Sequence, residues 1–365
     1  MKILLVSLVK RKVTPEVTAA RPRMIYELAK GLLRRGHQVT LLASGDSHVS
    51  GGDIIPAIPV SLVDLPAQEN PFYVHTSFLV RLAKKLEEVA DQFDIIHNHT
   101  YPEFINLLIS DRLKAPMVTT IHAQGTSELD KVLSLFPKSY LISISNAHKK
   151  LFKKAKIDKI VYNGIDTNFY QFKEKKDDYF LWLGRLSKAK DEKGEFLDPK
   201  GVKWAIKLAQ ATGEKLVISG NVEDKKFFER EVKPNLNDKI KWFGPVSSEQ
   251  VLTKEQVVGL MQGAKAFLMT INWYEPFGLV MAEAMSCGTP VIGFNRGSVS
   301  EIVRDGVTGF IVKPERKLEG LKEAVSKINQ INPKDCREHV VNNFSVEKMV
   351  ENYEKVYEEI LKKKQ

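Results

Sequence analysis

Cysteine is scarce in this chain: Cys287 and Cys336 are the only two among 365 residues. Two thiols supply neither a disulfide framework nor the spacing of a cysteine-ligated metal site, so a reducing cytoplasm is the expected setting. No apolar run approaches the roughly 18 residues that would cross a bilayer. The opening MKILLVSLVKRKV turns to charge too early for a signal peptide and reads as a strand. Short-period repeats and low-complexity tracts are also missing, which sets aside solenoid and disordered classes.

Charge of one sign is not concentrated. The formal net charge of +10 divides into +6 over residues 1–170 and +4 over the remainder. With no aromatic-rich nucleic-acid motif beside it, this spread gives no reason to expect a nucleic-acid partner. The densest basic run, from Asn146 to Lys159, spaces Lys149, Lys150, Lys153, Lys154, Lys156 and Lys159 at a helical period. Its ordinary reading is a solvated helix face, and its functional reading is a peripheral contact with an anionic membrane.

What is present is an ordinary soluble composition, 43% hydrophobic and 27% charged, in a length that suits two domains. Short β-rich runs alternate with longer helical patterns throughout, which predicts an α/β fold of two Rossmann-like parallel-sheet domains. Strands are expected at 2–9, 38–43, 60–65, 94–97, 117–122, 140–145 and 159–162. A second set is expected at 179–183, 215–219, 240–243, 266–270, 290–294 and 310–312. Helices are expected at 23–35, 75–92, 104–113 and 146–154 between the first strands. The charged stretch QFKEKKDD, Gln171 to Asp178, marks the hinge, giving domains at 1–170 and 171–345. A terminal helix at 346–365 is expected to pack back toward the first domain.

The stretch NWYEPFGLVMAEAMSCG, Asn272 to Gly288, carries the clearest chemistry. It sets Glu275 in a loop and Glu283 in the second turn of the helix that follows. Gly278 and the free N–H groups of that helix start suit a diphosphate, and a carboxylate one turn on suits a ribose diol. Either glutamate alone would be an ordinary surface residue. The ordered set of Glu, Pro, Phe and Gly before the helix, Glu within it and Cys-Gly-Thr-Pro after it is far more specific. The arrangement fits a nucleotide sugar.

These residues resemble the retaining glycosyltransferases of family four, glycosyl transferases group 1, over nearly the whole chain. The likeness rests on Leu183-Gly184-Arg185-Leu186-Ser187, Pro199-Lys200-Gly201, Glu275 through Glu283, Gly288-Thr289-Pro290-Val291-Ile292, Ser300-Glu301-Ile302-Val303, Asp305 to Phe310 and Asn163-Gly164-Ile165-Asp166. The resemblance implies the GT-B architecture, with two Rossmann-like domains facing across a cleft, the donor held mainly by the second and the acceptor by the first. It implies catalytic roles for Glu275, His122, Arg185 and Lys200. Donor contacts would come from Arg185, Lys200, Glu275, Phe277, Gly278, Leu279, Glu283 and the loop at Val246. Arg21, His99 and Tyr101 would lie on the acceptor side. Arginine, lysine and helix N–H groups can stabilise a departing diphosphate without a metal, and no Asp-x-Asp motif is present, so no cofactor is expected. His97 and His99, two apart in DIIHNHT, would be a metal pair lacking a third ligand.

Two departures from the family pattern stand out. The spacing between Arg185 and Lys-Gly is expanded by SKAKDEKGEFLD, which makes Lys190, Lys193 and Lys200 rival phosphate ligands. Lys200 is preferred because it runs directly into the next helix. The loop after the first strand, Lys10 to Pro22, has no glycine; its two readings are Thr18, Ala19 and Arg21 in that space, or an ordinary polar loop. The implied reaction is transfer of a hexosyl group, favoured donor UDP-glucose, to an unidentified small-molecule, saccharide or lipid-linked acceptor with retention. Rival readings are a GDP-mannose-type transferase, an epimerase or phosphorylase on the same scaffold, and a noncatalytic nucleotide-sugar or nucleic-acid binder.

Overall fold

The computed structural model describes residues 1–363 and divides into two compact units. The first runs from Met1 to Gly164 and takes in the terminal helix that starts at Val346; the second is Ile165–Ser345. The division falls at Gly164, ahead of the charged stretch from Gln171 expected to be the hinge. Cys287 O accepts the Lys173 N–H at 3.2 Å, and Lys176 donates to Cys287 O and Thr289 Oγ1, so that stretch is built into the second unit.

The first unit contains β1 (Lys2–Val6), α1 (Ala20–Arg34), β2 (Gln38–Ser44), β3 (Asp53–Ile58), α2 (Pro71–Val89), β4 (Ile95–Asn98), β5 (Met117–Ile121), α3 (Ser127–Leu133), β6 (Tyr140–Ser143), α4 (Asn146–Lys149) and β7 (Lys159–Ile160). All seven strands are parallel, in the order β3-β2-β1-β4-β5-β6-β7. In the second unit β8 (Phe180–Leu183), α5 (Val202–Thr212), β9 (Leu216–Ser219), α6 (Lys225–Phe227), β10 (Ile240–Phe243), α7 (Lys254–Gly263), β11 (Ala266–Met269), α8 (Leu279–Ser286), β12 (Val291–Phe294), α9 (Val299–Ile302), β13 (Gly309–Val312), α10 (Lys317–Lys327) and α11 (Pro333–Phe344) follow in turn. Its six strands are also parallel, ordered β10-β9-β8-β11-β12-β13. Strands such as Ile3-Leu4-Leu5-Val6 and Ala266-Phe267-Leu268-Met269 are buried along their whole apolar length, as parallel sheets covered on both faces require.

The last helix, α12 (Val346–Lys362), belongs to the first unit and lies on α1. Gly31 makes the approach possible: a Cβ there would sit 2.4 Å from Val350 Cγ2. Arg34 pairs with Glu347, and both Arg35 and His37 pair with Glu354. In both sheets the strand order reverses beside the first strand, between β1 and β4 and between β8 and β11. The carboxyl ends of strands flanking such a reversal are where open α/β sheets leave a crevice.

Three expected elements take a different form; the helix expected at 104–113 is a 3-10 helix over Glu103–Arg112. Val60–Leu65 is not a strand; Leu62–Asp64 is a short 3-10 turn held by Asp46, which accepts the Ser61 N–H, and by the Ser61 hydroxyl on Asp64. The third strand is instead Asp53–Ile58. The lysine-rich run is helical only over Asn146–Lys149. Beyond it, the buried Asp130 carboxylate accepts the N–H groups of Lys153, Lys154 and Ala155, which an α-helix would need for itself. The lysines are exposed, but they do not form the amphipathic face that a membrane contact there required. No helix among the described residues is long and apolar enough to cross a membrane.

Candidate functional site

In the second unit, residues from three loops converge at the reversal between β8 and β11, Arg185 and Lys200 both lying on the connection from β8 to α5. Arg185 follows β8, Lys200 precedes α5, Glu275 lies on the loop from β11 to α8, and Gly297 lies on the loop after β12. Lys200 Nζ donates to Glu275 Oε2 at 2.9 Å and stands 4.0 Å from the centre of the Trp273 ring. Trp273 Nε1 donates to the same carboxylate oxygen at 3.0 Å. Glu275 is thereby held at 8% exposure between a cation and an indole N–H. Of the three rival lysines only Lys200 reaches it. Lys190 stacks on Phe196, and Lys193 lies in the turn of a small hairpin that the inserted residues form, closed by Asp191 N–H to Glu195 O and Leu197 N–H to Ala189 O.

The backbone around Glu275 is shaped by its neighbours. Gly297 has φ +63, and a Cβ there would stand 2.2 Å from Glu275 O and 2.5 Å from Glu275 N, so no side chain fits. Ser298 donates its N–H to Glu275 O and its hydroxyl to Phe277 O, at 2.9 and 2.7 Å. Phe277 itself is buried edge-on against Phe344.

Gly278, at φ 78, leads into α8 with no side chain capping the helix. The first amides of a helix have no intrahelical acceptor, so this start presents donors and a positive dipole end beginning at Leu279. The α5 start does not: Asp198 accepts the N–H groups of Gly201, Val202 and Lys203 at 2.9, 3.1 and 2.9 Å. Burial raises the Asp198 pKa against the pull of those three donors. An anion arriving at this edge therefore finds the α8 terminus open and the α5 terminus filled.

From Met281 onward α8 is buried on every side, so it is a core helix. Glu283, at 3% exposure, is a carboxylate inside it, where glutamate is seldom found. Three groups fix the far end: Arg337 donates to Ser286 O, Ser286 Oγ, Tyr170 O and Thr167 O; Lys176 donates to Cys287 O; and Ser286 Oγ donates to Tyr170 O. Arg185 is exposed and paired with Glu223 at 3.0 Å, and it begins beside Lys200, because a Cβ on Gly184 would come within 3.4 Å of Lys200 Cβ. Val246 is half-buried on the loop after β10.

The first unit has its own polar cluster at the β1–β4 reversal. His99 Nδ1 and His122 Nε2 are 2.9 Å apart, and His97 stacks on His99 with ring centres 3.9 Å apart. His97 uses both nitrogens within the protein, on Tyr357 OH at 2.7 Å and Thr120 Oγ1 at 2.8 Å, so it is not half of a metal pair. No group of three His, Cys, Asp or Glu side chains among the described residues is arranged to hold a metal. Burial drives the imidazoles toward the neutral form, His99 to about 3 and His122 well below its ordinary value, with the Arg21 guanidinium adding to both.

His99 Nε2 is buried with no partner. The 2.9 Å contact between His99 Nδ1 and His122 Nε2 is a hydrogen bond in which one ring donates and the other accepts. His122 is half-buried. Arg21 and Tyr101 lie close by, with the guanidinium 5.0 Å from the ring centre, but Arg21 is committed to Thr100 O and Glu103. Glu103, 1% exposed and absent from the sequence-based set, ties the cluster together. Its Oε1 accepts from Arg21 Nη2 at 2.8 Å, Ala123 N at 3.1 Å and His122 N at 3.3 Å. A lone glutamate 82 positions from its arginine gave no signal in the sequence.

The model described as Glycosyl transferases group 1 matches residues 166–344, and that described as Glycosyltransferase Family 4 matches 22–169, so together they run from 22 to 344. N-acetyl-alpha-D-glucosaminyl L-malate synthase of Bacillus anthracis is 25% identical over 92% of this chain and 93% of its own. Among solved structures, sucrose-phosphate synthase from Thermosynechococcus elongatus superposes with a TM-score of 0.76 at 17% identity, covering 98% of each chain. Anabaena Alr3699/HepE in complex with UDP-glucose gives 0.68 at 17% identity over 98% of this chain and 99% of that one. The shared fold is GT-B.

Proposed function

We propose that this chain, which belongs to the glycosyl transferases group 1, moves a hexosyl group from UDP-glucose to an acceptor hydroxyl with retention at the anomeric carbon. The observation that carries this reading is the buried Glu275, fixed by Lys200 and Trp273 directly before the uncapped start of α8, with the buried Glu283 one turn inside. Glu275 orients hydroxyls of the donor sugar, the α8 terminus with Arg185 and Lys200 meets the diphosphate, and Glu283 accepts the ribose diol.

As the bond to the sugar breaks, negative charge builds on the leaving diphosphate, and these fixed donors stabilise it in place. The departing phosphate takes the proton of the acceptor hydroxyl on the same face, which retains the configuration. No divalent metal is needed in this scheme. His122, which burial holds in the neutral form, hydrogen-bonds a sugar hydroxyl, and Tyr101 is the exposed acceptor-side contact.

A thermal-shift screen of UDP-, GDP- and ADP-sugars tests the donor, since a ligand of the folded state raises its apparent stability. UDP-glucose is expected to give the largest shift, with EDTA leaving it unchanged; a larger shift with GDP-mannose would reject the donor. Glu275→Ala should lower turnover about a hundredfold or more, and unchanged turnover would reject its role.

A further inference from the structure

One cation at the edge of the donor site is unaccounted for. Arg185 faces Glu223 and Lys200 faces Glu275, whereas the Arg296 side chain forms no ion pair or hydrogen bond with any described residue. The residue is half-buried and its Nε is shut off from solvent without an acceptor. A dry guanidinium N–H left unmade is costly, and native structures keep such a group where something else satisfies it.

Its position says what that is. Arg296 follows β12 at the carboxyl edge of the sheet, next to Gly297, whose missing Cβ lets the loop press against the Glu275 backbone. Ser298, two residues on, bonds to Glu275 and Phe277 at the entry to α8. Arg296 thus stands on the loop that shapes the donor site. The charges point the same way: each of the other two cations is matched by a carboxylate, while a leaving nucleoside diphosphate brings further negative charge. Arg296 supplies the unmatched positive charge.

We propose that Arg296 binds an oxyanion of the donor, either a phosphate oxygen or a carboxylate carried on the transferred hexosyl ring. The inference rests on the donor reading of this site and adds a third cation to it. A planar guanidinium holds either group with two parallel hydrogen bonds, which a lysine ammonium cannot reproduce.

Calorimetric titration of wild type, Arg296→Ala and Arg296→Lys against UDP, GDP, ADP, inorganic pyrophosphate, UDP-glucose and UDP-glucuronate tests it, with uridine as uncharged control. Arg296→Ala is expected to weaken the best nucleoside diphosphate about tenfold or more while leaving uridine unchanged, and Arg296→Lys to recover part of the loss. If the diphosphates are unaffected and UDP-glucuronate alone loses that factor, the oxyanion is the sugar carboxylate. Equal affinity of wild type and Arg296→Ala for every charged probe, at unchanged melting temperature, overturns the proposal. Should wild type bind pyrophosphate through Arg296 and no nucleotide at all, the donor reading falls and the oxyanion site stands; binding of neither by wild type overturns both.

Discussion

Arg21 and Glu103 form a buried pair whose work is divided unequally. The carboxylate accepts from the guanidinium and also from two backbone amides at the end of β5, so it fixes where His122 starts. Burial lowers the Arg21 pKa, with Glu103 opposing that shift, and the guanidinium stays charged. Removing one partner strands the other in a dry place. Glu103→Gln is expected to cost about 3 kcal/mol of stability and to lower kcat more than KM, because the His122 amide loses its anchor. Urea unfolding with steady-state kinetics on the same preparation checks both; a stability loss with kinetics intact would reduce Glu103 to a structural role. The sequence exposed Glu275 and Glu283 because they sit in one ordered motif, and Lys200, 75 positions before Glu275, as one of three rival lysines. It concealed Glu103 and Arg296, whose partners or neighbours become adjacent only when separate loops meet, while Trp273, two residues from Glu275, lay inside the motif without a role.

At the scale of elements, legibility followed burial. Strands β1, β8, β11 and β12 were readable as continuous apolar runs. Strand β3 was not: it holds Pro56 and lies at the sheet edge, where proline is tolerated and one face can be polar. The lysine run carried a true helical period, and Asp130 overrode it by capturing three backbone amides at once. The packing of α12 on α1 depends on Gly31, a position no periodicity singles out. Gly31→Val should force the two helices apart and cost about 1–3 kcal/mol, the usual range for overpacking. Val350→Ala in the same chain should recover much of that loss, and thermal melts of the single and double variants would show it.

Taken whole, the molecule carries four histidines at or near the β1–β4 reversal whose imidazoles burial pushes below the ordinary value: His97, His99, His122 and His148, with His99 at about 3 and His148 at about 4. A base whose folded pKa is depressed binds more protons once unfolded. The stability it confers is complete above the unfolded value near 6.5 and is lost as pH falls through the window toward the folded value. The first unit should therefore weaken between about pH 6.5 and 4, by on the order of 1 kcal/mol per pH unit for each imidazole. Calorimetric scans across that range should show its transition falling in temperature, with a shallower slope in His99→Gln; a flat profile would mean the cluster admits protons while folded.

The chain enters the second unit at Ile165 and leaves it at Ser345, and there the two passages run side by side: the Ile165 N–H meets Phe344 O at 2.7 Å, and Ile165 pairs with Ser345 in a parallel bridge. Residues 165–345 are therefore a cassette spliced into an otherwise continuous lobe, with its two splice points touching. Gene rearrangement could exchange that cassette for a relative's without cutting a strand of the host lobe or orphaning its last helix.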